Sequence, residues 1–140
     1  MTGPLVVIGG DAAGMSAASA ARRGDPDLPI TVLERGGEVS YAACGIPYLI
    51  AGEVTGESDL IHHTPDDFLR KRGIVVRIGA EAVAIDPEQR AVVLGDGERV
   101  AYGALVVATG ARPAPPDIPG LDLPGVVTLR ALASARGVRE

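Results

Sequence analysis

Cysteine occurs once in the 140 residues, as Cys44, tryptophan not at all, and phenylalanine once beside three tyrosines. A single thiol excludes an internal disulfide and fits a reducing cytosol, so a cytoplasmic location is expected. With so few aromatics the core must be built from Val, Ile, Leu and Ala, the palette of a parallel sheet covered by close-packed helices. Long hydrophobic runs are missing too. The opening MTGPLVVIGG has four apolar residues before its glycines and no cationic leader, so it reads as neither signal peptide nor membrane span. Positive charge is not in excess. Thirteen basic residues stand against eighteen acidic ones, a net charge of −5, and the arginines are scattered or sit at helix ends, which excludes nucleic acid as a main partner. His62-His63 are adjacent and point different ways, and the one cysteine lies elsewhere, so no metal-ligand spacing exists.

What is present is enough apolar material (46%, with 22% charged) for one ordinary core, and 19 glycines with 11 prolines to punctuate it. Leu5 to Ile8 reads as a buried strand running into the Gly9-Gly10 turn. The small-residue stretch Ala12 to Arg23 reads as a helix, with Arg22-Arg23 in its last turn and Gly24 as its glycine cap. Ile30 to Leu33 is a second short strand, broken by Gly36-Gly37. In TPDDFLRKRG, Thr64 is the N-cap, Pro65 the first helical residue and Gly73 the stop. Short apolar runs at Ile74 to Val76, Ala82 to Ile85 and Ala91 to Leu94, then Arg99 to Tyr102, are separated by turns and predict an antiparallel meander. Ala104 to Ala108 returns as a buried strand, ending in Thr109-Gly110. The proline-rich RPAPPDIPGLDLPG is extended, and a short amphipathic stretch from Arg130 to Glu140 closes the chain.

Between the first strand and the first helix, VVIGGDAAG places Gly9 and Gly14 at the outer positions of a G-x-G-x-x-G dinucleotide fingerprint. Glycine permits the sharp turn, the helix N-terminus offers unpaired N–H groups to a pyrophosphate, and a small last residue lets helix and strand approach. Asp11 stands where the middle glycine belongs. A carboxylate facing a pyrophosphate is repulsive, so Asp11 is expected to cap the helix by accepting the Gly14 N–H. Glu34, twenty residues past Gly14 at the end of the second strand, is placed to accept adenosine ribose hydroxyls. An NAD domain continues with further strand-helix repeats; here a cysteine segment, a capped helix and a meander follow, and that order points to FAD.

The cysteine lies in SYAACGIPYLI. A free cysteine among alanines is ordinarily an inert small hydrophobe. Here, though, Pro47 suits the first turn of a helix, which places Cys44 just before a helix N-terminus, where the positive end of the dipole favours a thiolate. Gly45 permits close approach of a planar ring.

VVIGGDAAGMSAASAARR, SYAACGIPYLIAGEV, TPDDF and LVVATGARP together resemble the N-terminal FAD-binding part of the single-cysteine pyridine nucleotide-disulfide oxidoreductases: coenzyme A disulfide reductases, NADH oxidases and peroxidases, and polysulfide or persulfide reductases. The resemblance implies that electrons pass from NADH or NADPH through FAD to Cys44, which cycles between thiolate and a mixed disulfide or sulfenic acid. Two-cysteine relatives carry C-x-x-x-x-C; the partner position here is Leu49, so the oxidised state must include an outside sulfur or oxygen atom. The resemblance further implies a cofactor set of Gly9, Gly10, Asp11, Ala12, Ala13, Gly14, Glu34, Arg35, Ser40, Thr109 and Gly110. It implies coenzyme A contacts at Ser16, Arg23, Ser40 and Arg72, although Arg23 and Arg72 equally complete helix ends and Ser16 equally fits a small-residue packing face. Ala43 departs from the asparagine common beside the cysteine in the coenzyme A disulfide reductases. Tyr41 and Tyr48 are expected as packing residues.

The expected fold is therefore α/β, a Rossmann-like FAD-binding domain with a parallel sheet and an antiparallel β-meander insertion over residues 1–112, then a crossing segment and short helix over 113–140. Family members are about three times longer, so a fragment or one product of a split gene is expected, its full-length form a homodimer, its substrate a small disulfide, peroxide, oxygen or polysulfide, with no membrane partner. Two other readings stay open: a nucleotide-binding module with an inert cysteine, and a flavoprotein that reduces an iron-sulfur partner.

Overall fold

A computed structural model describes residues 3–139, so that Glu140, at the end of the last predicted helix, lies outside the described residues. Two compact units divide the chain, residues 1–41 with 63–110 and residues 42–62 with 111–140.

The first unit is built on a four-stranded parallel sheet of order β3-β2-β1-β7, from β1 (Leu5–Ile8), β2 (Ile30–Leu33), β3 (Ile74–Arg77) and β7 (Ala104–Val107). All four residues of β1 are buried, because both faces of this central strand are covered. Side chains alternate across a strand. Leu5 and Val7 therefore join Ile30, Val32 and Ile74 in one core with Met15, Ala18 and Phe68 from the helices α1 (Ala12–Gly24) and α3 (Pro65–Arg72). Val6 and Ile8 join Leu33 in a second core, against Val92 and Leu94 of an antiparallel three-stranded sheet made of β4 (Ala82–Asp86), β5 (Ala91–Leu94) and β6 (Arg99–Ala101).

The meander is thus present but shorter than expected. Ile74 to Val76 leaves it and pairs in parallel with β2, Ile30 opposite Ile74. The reason lies just upstream. Gly73, at φ 59°, ends α3 in the left-handed conformation, so the chain reaches Ile74 directly from a helix, and a helical crossover returns a strand parallel to its predecessor. A second correction concerns α1. Gly24 is its last helical residue and Asp25, in extended conformation, is the cap. The Asp25 N–H closes the helix end on Ala21 O at 2.9 Å, and the Arg22 guanidinium fastens the chain just beyond it, donating to the oxygens of Pro26 and Asp25 and also to Arg72 O at 2.8 Å and Gly73 O at 3.1 Å at the end of α3.

At the start of α3 the expected capping is complete. Thr64 Oγ1 accepts from the Asp67 N–H at 3.2 Å while Asp67 Oδ2 accepts from the Thr64 N–H at 3.1 Å. The Lys71 ammonium at 2.9 Å, reinforced by these Thr64 donors, holds the Asp67 carboxyl well below the ordinary carboxylate range.

The second unit contains a 3-10 turn (Ala43–Gly45) running into α2 (Ile46–Ala51), a second 3-10 turn (Glu57–Leu60), and α4 (Leu132–Arg139). Residues 111–131 form neither helix nor strand, as the proline spacing predicts. No helix among the described residues is long and apolar enough to cross a membrane.

Candidate nucleotide cradle and cysteine turn

Three strand ends and one helix start meet around the glycine turn of the first unit. Gly9 has φ 107°, and a Cβ there would lie 2.2 Å from Ala108 O, so only glycine lets the turn after β1 pass the end of β7. Gly14 is more constrained still: its Cβ would lie 1.8 Å from Gly9 O, so α1 can start against the turn only without a side chain. Gly10 has an ordinary φ yet no room, because a Cβ would meet Val39 Cγ1 at 2.6 Å and Glu34 Cβ at 3.0 Å. The steric requirement here is thus G-G-x-x-x-G, and it explains why the residue after Gly10 can be an aspartate.

That aspartate does not cap the helix. Asp11 occupies the N-cap position with no side-chain capping bond, while its backbone oxygen accepts the Met15 N–H at 3.0 Å. The expectation that its carboxylate takes the Gly14 N–H is overturned: Asp11 is extended, with ψ −162°, and the first-turn amides are not taken up by its side chain. No acid lies in that first turn, and Ala12 and Ala13 are exposed. The positive end of a 13-residue helix is therefore open beside a glycine-lined turn, a geometry that suits a pyrophosphate.

Glu34 closes the other side. Its Oε2 accepts from the Gly10 N–H at 2.7 Å and its Oε1 from the Gly36 N–H at 2.7 Å. One carboxylate thus ties the end of β2 to the turn after β1, and each oxygen keeps a lone pair for a further donor. Ser40 is brought to the same place, its N–H donating to Gly10 O at 3.0 Å. It does so at φ 51°, a left-handed conformation uncommon for a residue with a Cβ. Thr109 and Gly110 are exposed at the end of β7, with Gly110 at φ 69°, and Arg35 is exposed beside Glu34. Beside Thr109 is a recess of about 290 Å³ lined by Ile8, Val83, Ile85 and Val107.

The expected coenzyme A contacts do not share one environment. Ser16 and Arg23 are exposed on α1. Arg72 is tied back to its own unit: Nη1 donates to the buried Ser19 hydroxyl at 2.5 Å, and the guanidinium stands 5.3 Å from the Phe68 ring centroid. His63 packs edge-on to the same ring at 5.5 Å.

In the second unit, Cys44 is exposed within the 3-10 turn, and α2 begins two residues later with Pro47 in its first turn. Ile46 and Leu49 are buried and anchor α2; Tyr48, expected to pack, is 54% exposed. Beneath the cysteine turn lies Leu60, which no motif signalled: its oxygen accepts the Ala42 N–H at 2.8 Å, and a Cβ on Gly45 would lie 2.4 Å from Leu60 Cδ2. Val39 and Ala108 likewise belong to no motif, since a chain gives no spacing signal for the neighbour that forbids a side chain.

The sequence model of the pyridine nucleotide-disulphide oxidoreductases matches residues 3–140. The chain belongs to that family. It is 42% identical over 137 residues to the NAD(P)H sulfur oxidoreductase (CoA-dependent) of Pyrococcus abyssi, covering 97% of this chain and 30% of that protein. It is 34% identical to an NADH oxidase of Methanocaldococcus jannaschii, covering 95% of this chain and 31% of that one. Among solved structures, an NAD-dependent persulfide reductase from A. fulgidus superposes with a TM-score of 0.88 at 40% identity, over 96% of this chain and 26% of that one. The chain thus spans about 30% of the length of the curated pyridine nucleotide-disulphide oxidoreductases it matches. These relatives are oxidoreductases, and the family is FAD-dependent with NAD(P)H as reductant.

Proposed function

We propose that this chain is the FAD-binding portion of an NAD(P)H-dependent oxidoreductase that reduces a small sulfur or oxygen acceptor through Cys44. The observation that carries the reading is the glycine cradle: three positions where a Cβ is sterically forbidden, next to an open helix N-terminus and a carboxylate held by the Gly10 amide. The fit to FAD is specific in its parts. The first turn of α1 would bind the pyrophosphate, Glu34 would take ribose hydroxyls with its remaining lone pairs, and Thr109 and Gly110 would bound the far side of the nucleotide. Bound there, FAD supplies the two-electron connection between a reduced nicotinamide and sulfur chemistry.

Cys44 is exposed and stands alone, so its chemistry is with an external partner. As thiolate it attacks one sulfur of a disulfide or polysulfide; a new S–S bond forms to Cys44 and the other sulfur leaves as thiolate. Two electrons then return both sulfurs to the thiol level. A disulfide of the coenzyme A type, or a polysulfide, is the acceptor favoured by the resemblance to a coenzyme A disulfide reductase of Staphylococcus haemolyticus and a coenzyme A polysulfide/persulfide reductase of Pyrococcus horikoshii.

The test uses FAD-loaded protein reduced with dithionite and mixed with coenzyme A disulfide or polysulfide. Reoxidation in the wild type and its loss in Cys44→Ser is the expected result. Equal rates in both proteins would overturn the role of the thiol.

A further inference from the structure

In the unit that carries Cys44, three contacts in series run from the last helix to the cysteine turn. α4 is anchored by Leu132 and Ala135, both buried on one face. On the neighbouring face, the Arg136 guanidinium forks onto Glu57, with Nε 2.8 Å from Oε1 and 3.0 Å from Oε2, and Nη2 2.6 Å from Oε2. Glu57 opens the 3-10 turn Glu57–Leu60, which is braced by Thr55 Oγ1 donating to Asp59 Oδ2 at 2.7 Å and by the Asp59 N–H donating to Gly56 O at 3.1 Å. The turn ends in Leu60, 4% exposed, whose oxygen holds Ala42 and whose side chain fills the space under Gly45. Ala42 and Gly45 flank the thiol, and the Gly45 N–H donates to Ala42 O at 2.9 Å to close the turn. One buried residue therefore grips the cysteine turn on both sides while the Cys44 side chain stays exposed.

We propose that this series is a strut through which Arg136, by way of Glu57 and Leu60, fixes the position of the Cys44 turn. Arg136 and Leu60 are positioning residues: neither needs to touch the acceptor. Their functional meaning rests on Cys44 being the redox thiol, but the strut itself does not. An exposed ion pair adds little to global stability, yet a surface turn opens at a small free-energy cost of its own, so the same increment changes the open population of that turn severalfold.

Amide hydrogen exchange, followed by NMR on the full 140-residue chain, reads the strut directly at the Ala42 and Gly45 amides. Arg136→Ala and Glu57→Gln should each speed exchange at these two amides about fivefold, the upper range for an exposed ion pair. The double variant should exceed neither single one, because both break the same contact. The Gly73 amide in the other unit, bonded to Leu69 O at 2.9 Å, should exchange at the wild-type rate. Leu60→Ala should have a larger effect and Leu60→Met should restore protection. The Cys44 alkylation rate with iodoacetamide should change in Arg136→Ala and Glu57→Gln with the melting temperature unmoved, a separation that a merely structural contact would not give. Wild-type exchange at Ala42 and Gly45 in Arg136→Ala would overturn the strut. Equal reoxidation in Cys44→Ser would instead overturn the thiol reading, so the two failures are distinguishable.

Discussion

The Glu34 carboxylate accepts the Gly10 amide proton at 2.7 Å, joining residues twenty-four positions apart at the point where the nucleotide cradle is formed. Glu34→Gln replaces one acceptor oxygen by an NH2 group that faces an N–H donor, at Gly10 or at Gly36, and removes one of the two bonds. The FAD dissociation constant should rise about tenfold, in line with roughly 1–3 kcal/mol for an unmade buried hydrogen bond. Calorimetric titration checks this, with Glu34→Ala expected to be weaker still.

Glycine substitutions should sort by the space around them. Gly14→Ala drives a methyl group against Gly9 O and Gly9→Ala against Ala108 O, and both should lower the melting temperature and weaken nucleotide binding. Gly24→Ala meets nothing within 4 Å at the end of α1 and should stabilise the chain by about 0.4–1 kcal/mol. Thermal unfolding of the three variants tests the order.

Arg72→Ala should cost about 1–2 kcal/mol, because the Ser19 hydroxyl, 6% exposed, loses its donor and Phe68 loses the guanidinium that covers it. Urea unfolding measures this. A loss of coenzyme A disulfide affinity with unchanged stability would assign Arg72 to the acceptor instead.

Acid should destabilise the first unit. Lys71 and Thr64 hold Asp67 below its ordinary value of 3.8, the Gln89 amide and then Arg99 lower Asp86, and hydrogen bonding to Arg77 lowers Glu98 from 4.5. Depressed carboxyl values give stability that is complete above the unfolded values and disappears as pH falls through the folded ones, so the loss begins below about pH 4.5 and continues downward. Urea midpoints at pH 7 and pH 3 should differ less in Asp67→Asn than in the wild type. Salt should shrink the difference, since these groups are exposed.

The boundaries of α3 and the start of α2 are marked locally by a side chain or a glycine, whereas Gly24 lies inside α1 and Asp25 caps it. Thr64, Pro65 and Gly73 delimit α3 as read, and Pro47 announces α2. The order of strands in the sheet was not so local. Ile74 to Val76 has the composition of a hairpin strand, and only its start directly after Gly73 says that it returns in parallel. In the cradle, spacing marks the glycines and Glu34, but the side-chain cap expected of Asp11 does not form, since charge repulsion predicts where a carboxylate should not point and leaves open what it bonds. Val39, Ala108 and Leu60 act through steric fit and, for Leu60, a backbone carbonyl, neither of which leaves a pattern in a single chain.

The most direct test of the account is a titration of the purified protein with FAD, followed by the backbone amide signals of Gly9, Gly10, Gly14 and Gly36. Saturable one-to-one binding that shifts these four amides and is competed by ADP is the expected result. A well-dispersed spectrum in which none of them moves at saturating FAD would contradict it.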